Sequence, residues 1–196
     1  MLDETIALME QIQRQKNIKI VEEDKNEDHI SLTVEEMRKK IREGILYLPG
    51  CGELHFKEHM VFPEHIPWIF IDEFYTECQE TEDTIIFVNN EKNVGQTLIH
   101  LPEDMEKLEM DEWEKQIKTG MKESGTYVEI IKKEELKVLD YISYRTPSKM
   151  GWIYNIIYRI HKENWRVIGG GNCLEQDMDT YGRLMEAIVM EIACRL

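Results

Sequence analysis

The stretch that most constrains this chain runs from Trp152 to Cys173 (WIYNIIYRIHKENWRVIGGGNC) and leads into the C-terminal segment. Trp152, Tyr154, Ile156, Tyr158 and Ile160 alternate onto one face of a strand. Ile153, Asn155, Ile157, Arg159 and His161 take the other face. A half-exposed strand would be polar on one side, whereas here apolar residues occupy both faces at the strand's middle. That pattern predicts a sheet covered on both sides. A second strand is expected from Trp165 to Ile168, ended by Gly169-Gly170-Gly171. Tyr181, Leu184, Met185, Ile188, Val189, Ile192 and Leu196 then recur at helical spacing, so a final amphipathic helix supplies one cover.

Upstream segments complete the pattern. Residues 2–15 carry Leu2, Ile6, Met9 and Ile12 near helical spacing, followed by a charged loop at 22–29. Thr33 with Glu36 three residues on reads as a capping box, and Gly44 closes that helix. From residue 54 the chain is punctuated by prolines and glycines and rich in β-branched and aromatic residues. Strands are expected near 54–62, 68–76, 84–88 and 96–101, with Asn89 to Asn93 as a turn. Residues 103–122 return to helical spacing through Met105, Leu108, Trp113, Ile117 and Met121, with acidic residues at the start, and Ser124-Gly125 ends the helix. Strands at 127–131 and 136–145 follow, joined by the polar run Lys132-Lys133-Glu134-Glu135.

The expected architecture is therefore α+β. Residues 1–50 form a helical N-terminal extension. Residues 51–196 form an α/β/α sandwich, a mainly antiparallel sheet with helices on both faces. This order, with Thr97-Leu98-Ile99-His100 before the acidic helix and Ile156-Ile157-Tyr158-Arg159-Ile160 followed by Trp165-Arg166-Val167-Ile168, resembles the PsbP-like superfamily over about residues 54–196. That group includes the photosystem II extrinsic subunit, Ran-binding Mog-type proteins and bacterial secretion-chaperone relatives. The resemblance implies an α/β/α sandwich used mostly for binding proteins, with no shared catalytic set to carry over. The glycine triplet departs from the pattern.

Charge narrows the partner class. With 24 basic and 39 acidic residues, the chain carries a formal charge of −15. Such a chain is repelled by phosphate backbones and anionic bilayers, so neither nucleic acid nor a membrane surface is the expected partner. A basic protein is favoured instead. The first fifteen residues lack a basic leader and a long apolar run, and Cys51, Cys78, Cys173 and Cys194 lie far apart. Reduced thiols in a cytoplasmic protein are expected.

No motif of a catalytic type emerges. The glycine triplet is followed by Glu175, Asp177 and Asp179, which would repel phosphate, and the expected role of the glycines is close packing at a strand end. His55, His59 and His65 with Cys51 and Glu58 are the densest group of metal-ligand types. On a strand, however, His55 and His59 stand roughly 13 Å apart, so no metal or cofactor is expected. Two groups remain as candidate sites. Trp68, Phe70, Phe74 and Tyr75 would anchor a protein partner if their rings stay exposed, and would otherwise be core. Asn155, Arg159 and His161 are polar interruptions of an apolar strand and would line a pocket between sheet and helix. The expected function is a non-catalytic protein-binding module: an adaptor, a secretion chaperone or an immunity-type partner. The alternative is an enzyme or small-ligand-binding protein using the second group.

Overall fold

Thr33 caps the first described helix as its sequence requires. Its hydroxyl accepts from the Glu36 backbone N–H, while the Glu36 carboxylate accepts from the Thr33 backbone N–H at 2.8 Å. Helix α1 (Val34–Glu43) follows, buries Met37 and Ile41, and stops at Gly44, whose φ of 86° is left-handed. The computed structural model describes residues 32–62, 65–101, 108–161 and 167–196. The helix expected at 2–15, the charged loop at 22–29 and the expectations for Met105, Trp165 and Arg166 lie outside these residues. The described residues belong to one compact unit, Leu32–Leu196.

Two antiparallel sheets carry the fold, so the α+β expectation and the mainly antiparallel sheet hold. The smaller sheet has the order β1 (Ile45–Leu48), β2 (Gly52–Val61), β3 (Ile66–Asp72). Ile45–Leu48 pairs with Gly52–His55, so the domain boundary expected after residue 50 lies inside a hairpin. Residues 32–50 thus share the unit of everything that follows.

The larger sheet contains β4 (Glu77–Glu80), β5 (Thr84–Asn89), β6 (Val94–His100), β7 (Glu129–Glu135), β8 (Leu139–Ser148), β9 (Gly151–Ile160) and β10 (Val167–Leu174). Its order is β4-β5-β6-β10-β9-β8-β7. Helix α2 (Met110–Glu123) lies between β6 and β7 in sequence, and helix α3 (Arg183–Arg195) ends the chain. The turn expected at Asn89 to Asn93 is present: the Lys92 backbone N–H donates to Asn89 Oδ1 at 2.9 Å, and Asn93 takes a φ of 54°.

The sequence reading and the structure also part within the larger sheet. Lys132 to Glu135, expected as a turn, forms part of β7. Lys133 reaches Asp111 and Glu114 on α2, while its neighbour Lys132 reaches Glu186 on α3. Successive strand side chains point to opposite faces, and each lysine here finds carboxylates on its own side. A charged strand is also suited to a sheet edge, which is where β7 lies. The actual turn is Leu136–Leu139, closed by a 2.9 Å backbone bond.

The glycine triplet does not end its strand. Gly169, Gly170 and Gly171 sit within β10, paired with Leu98, Thr97 and Gln96 on one side and Tyr158, Ile157 and Ile156 on the other.

Two apolar clusters hold the unit together. The larger joins Met37 of α1, Leu46 and Ile69 of the small sheet, Tyr158 of β9, and Leu184 and Ile188 of α3. The second joins Met110 and Trp113 of α2 to Ile142 and Tyr144 of β8. Adjacent residues Tyr141 and Ile142 enter different clusters, as the two-residue repeat of a strand demands.

Candidate functional site

Phe87 on β5 organises the aromatic residues singled out by the sequence. Trp68 and Phe70 on β3 place their ring centroids 5.2 and 5.6 Å from it, and Tyr75 stacks on it at 5.0 Å. His59 of β2 then meets Phe70 edge-on at 4.6 Å. Four candidate anchors thus divide. Trp68 (2% exposed) and Phe74 (8%) are buried side chains. Phe70 and Tyr75 are half-buried. The Tyr75 hydroxyl donates to Gln96 Oε1 at 2.5 Å, and burial pushes its phenol well above the ordinary tyrosine range.

Around these rings opens a groove of about 390 Å³ between the ends of β2 and β3 and the β4–β5 hairpin. Trp68, Phe70, Phe87 and Ile85 form its apolar lining together with Phe62. Met60, 58% exposed, stands at one wall. Glu80 and Glu82 stand at the other, and the described lining contains no lysine or arginine. Among the described residues neither carboxylate has a cationic partner. Phe87, Met60, Glu80 and Glu82 escaped the sequence reading as site residues, because only the pairing of two separate sheets brings them together. The available signal was the Glu80 to Asp83 stretch beside an apolar strand.

The polar group on β9 is only partly convergent. Arg159 donates to Asp140 Oδ2 through Nε at 3.2 Å and Nη2 at 3.0 Å, and its Nη2 also donates to the Leu108 carbonyl. Its guanidinium lies over the Trp113 ring, 4.5 Å from the centroid. His161 Nε2 lies against the same Asp140 oxygen without hydrogen-bonding to it. Asn155 stays apart, donating to Thr146 Oγ1 and the Ile153 carbonyl. Asp140, which the sequence reading missed, is the residue that gathers the cluster. Its side chain is 7% exposed and that of Arg159 6%, so this is a buried ion pair packed between α2 and the sheet.

The histidines near residue 55 do not assemble. His55 pairs with Glu53 at 2.8 Å, and His59 is on Phe70. Among the described residues no three His, Cys, Asp or Glu side chains gather as a metal site. All four cysteines are free thiols. Cys173 is buried, and burial pushes its thiol up to about 12, with Asp177 adding to the effect. Cys194 is exposed and accepts from Arg38 Nη2 at 3.2 Å.

The described part of the chain is an α+β protein of antiparallel sheets with an aromatic groove edged by carboxylates. No described helix is long and apolar enough to cross a membrane. No protein-family model matches this chain, and no curated protein matches it.

Proposed function

We propose that this protein is a non-catalytic protein-binding module that receives an apolar side chain of a basic partner in the Phe70–Phe87 groove. The groove carries the reading: a half-open aromatic floor beside two carboxylates that have no cationic partner among the described residues, with no lysine or arginine in its described lining. Aromatic side chains in a desolvated centre supply affinity, and rim charges set association rate and partner choice. The formal charge of −15 favours the same partners at longer range. The PsbP-like resemblance, with its α/β/α sandwich layering, is part of this proposal. The layering is supported by the entry of Tyr141 and Ile142 into separate apolar clusters, one with α3 and one with α2. A cytoplasmic adaptor, secretion chaperone or immunity-type partner would each use such a surface.

The Arg159–Asp140–His161 cluster favours the competing small-ligand reading less. Asp140, the Leu108 carbonyl and the Trp113 ring already occupy the guanidinium. The test is affinity capture from the source cell with wild type and with Met60→Asp and Glu82→Lys variants, whose changes lie at exposed groove positions. A protein retained by wild type and lost by both variants supports the groove. The same retained set with all three proteins overturns it.

A further inference from the structure

The groove opens beside an edge of the larger sheet. β4 is the terminal strand of the larger sheet and pairs only with β5 among the described residues. All four of its residues are exposed. The hairpin bond from Thr81 N–H to the Thr84 carbonyl (2.8 Å) fixes which backbone groups face outward. In an antiparallel pair hydrogen-bonded positions alternate. With Glu80 opposite Ile85, the bonded pairs are Gln79 with Ile86 and Glu77 with Val88. The backbone N–H and C=O groups of Cys78 and Glu80 therefore point away from β5. A second bond, from Thr76 N–H, shows that the Val88 carbonyl faces the β4 side, as this phase requires.

Resting on the groove reading, we propose that the partner segment is an extended basic peptide that adds to β4 as an eighth strand. Its backbone pairs with Cys78 and Glu80 while an apolar side chain enters the groove. Strand addition draws affinity from main-chain hydrogen bonds and specificity from pockets for alternate side chains. Both components meet here at the β4–β5 hairpin. Cys78 and Glu80 project to the Phe87 side of the sheet, as their opposition to Phe87 and Ile85 requires, so an added strand would run along the groove. Charge selects the occupant. Glu77 and Glu80 on the strand, with Glu82 and Asp83 in the turn, would repel a second copy of this edge. The same carboxylates attract lysine or arginine and would repel an acidic segment.

The probe is a fluorescein-labelled peptide with a valine–phenylalanine–valine centre flanked by lysine pairs, titrated against the full chain. Three further peptides and variants decide the mode. One control replaces lysine with glutamate. A second carries N-methyl groups on alternate backbone nitrogens, removing strand pairing but no side chain. The protein variant Cys78→Pro deletes an outward N–H that the β4–β5 ladder does not use. The expected result is binding to wild type, a loss of about tenfold or more in each of the three cases, and slowed hydrogen exchange at the Cys78 and Glu80 amides. The N-methyl arm uses wild-type protein, so the answer does not depend on Cys78→Pro folding. Equal binding of methylated and unmethylated peptides overturns strand addition. If that binding still falls with Glu82→Lys, the groove reading stands. Absence of binding by the lysine peptide also overturns strand addition, and the capture experiment then judges the groove by itself.

Discussion

The ring of Tyr158 on β9 lies across Gly169 on β10, in the space where any side chain at that position would have to sit. A Cβ placed on Gly169 would collide with the ring carbons and hydroxyl of Tyr158. The two residues are directly opposed in the β9–β10 register. The glycine is thus a matter of space. Its neighbours are less constrained: a Cβ on Gly170 would meet only the Ile156 carbonyl at 3.1 Å. One on Gly171 would meet the Met185 sulfur at 2.9 Å and the Gly95 carbonyl at 3.2 Å.

Gly169→Ala is therefore expected to cost about 3 kcal/mol, the upper range for forcing a methyl into a filled core, whereas Gly170→Ala and Gly171→Ala cost about 1 kcal/mol or less. In a Tyr158→Ala background the Gly169→Ala cost should fall below about 1 kcal/mol, because residues in contact are not additive. Urea midpoints of the single and double variants measure this. Equal losses at the three glycines would show that the ring is not the reason.

Asp140 and Arg159 face each other across β8 and β9, nearly out of contact with solvent. Removing one partner, as in Asp140→Ala, leaves a buried charge and is expected to destabilise by about 3–5 kcal/mol. The double variant Asp140→Leu/Arg159→Met should lose clearly less than the sum of its single changes, since apolar pairs often replace buried ions at little cost. Chemical denaturation of the four proteins tests it, and simple additivity would refute the coupling.

Glu191 on α3 is the anchor of α1. Its carboxylate is 2% exposed and accepts from Arg38 Nε at 2.8 Å and Arg42 Nη1 at 3.1 Å. Glu191→Ala should cost about 2 kcal/mol, a value tempered by the half-exposed Arg42. Glu35→Ala, at an exposed partner of the same Arg38, should cost under about 0.5 kcal/mol. Thermal melts that rank the two variants the other way would contradict the burial argument.

Alkaline stability follows from buried neutral acids. Burial pushes the Cys173 thiol and the Tyr154 phenol each up to about 12. In the unfolded chain they ionise near ~8.5 and ~10. Below ~8.5 both states hold both protons and neither group makes stability depend on pH. As pH rises from there toward 12 the unfolded chain releases protons that the folded chain keeps, so stability falls. The slope reaches about 1.4 kcal/mol per pH unit for each group. Urea midpoints measured from pH 8 to 11 should decline, and Cys173→Ala should delay the onset toward pH ~10. An unchanged onset in that variant would remove Cys173 from the account. In the native protein, Cys78 and Cys194 should react with a thiol reagent well before Cys173 does.

Local patterns were legible because a strand or helix repeats on its own backbone. The capping box at Thr33, the turn at Asn89, the alternation from Tyr154 to Ile160 and the stripe from Leu184 to Ile192 all appear where residue types placed them. Lys132 to Glu135 misled because a charged run reads as a turn unless cations on both faces find carboxylates on helices far away in the chain.

What the sequence determined by itself was the kind of element at most positions, along with the acidic balance that biases partner choice. Tertiary structure decided the rest. It placed Gly169 under Tyr158, set Asp140 against Arg159, and laid Trp68 and Phe70 over Phe87 with Glu80 and Glu82 alongside. Periodicity reports which way a side chain leaves its own strand. Which other strand it meets depends on long-range pairing, and no local spacing encodes that.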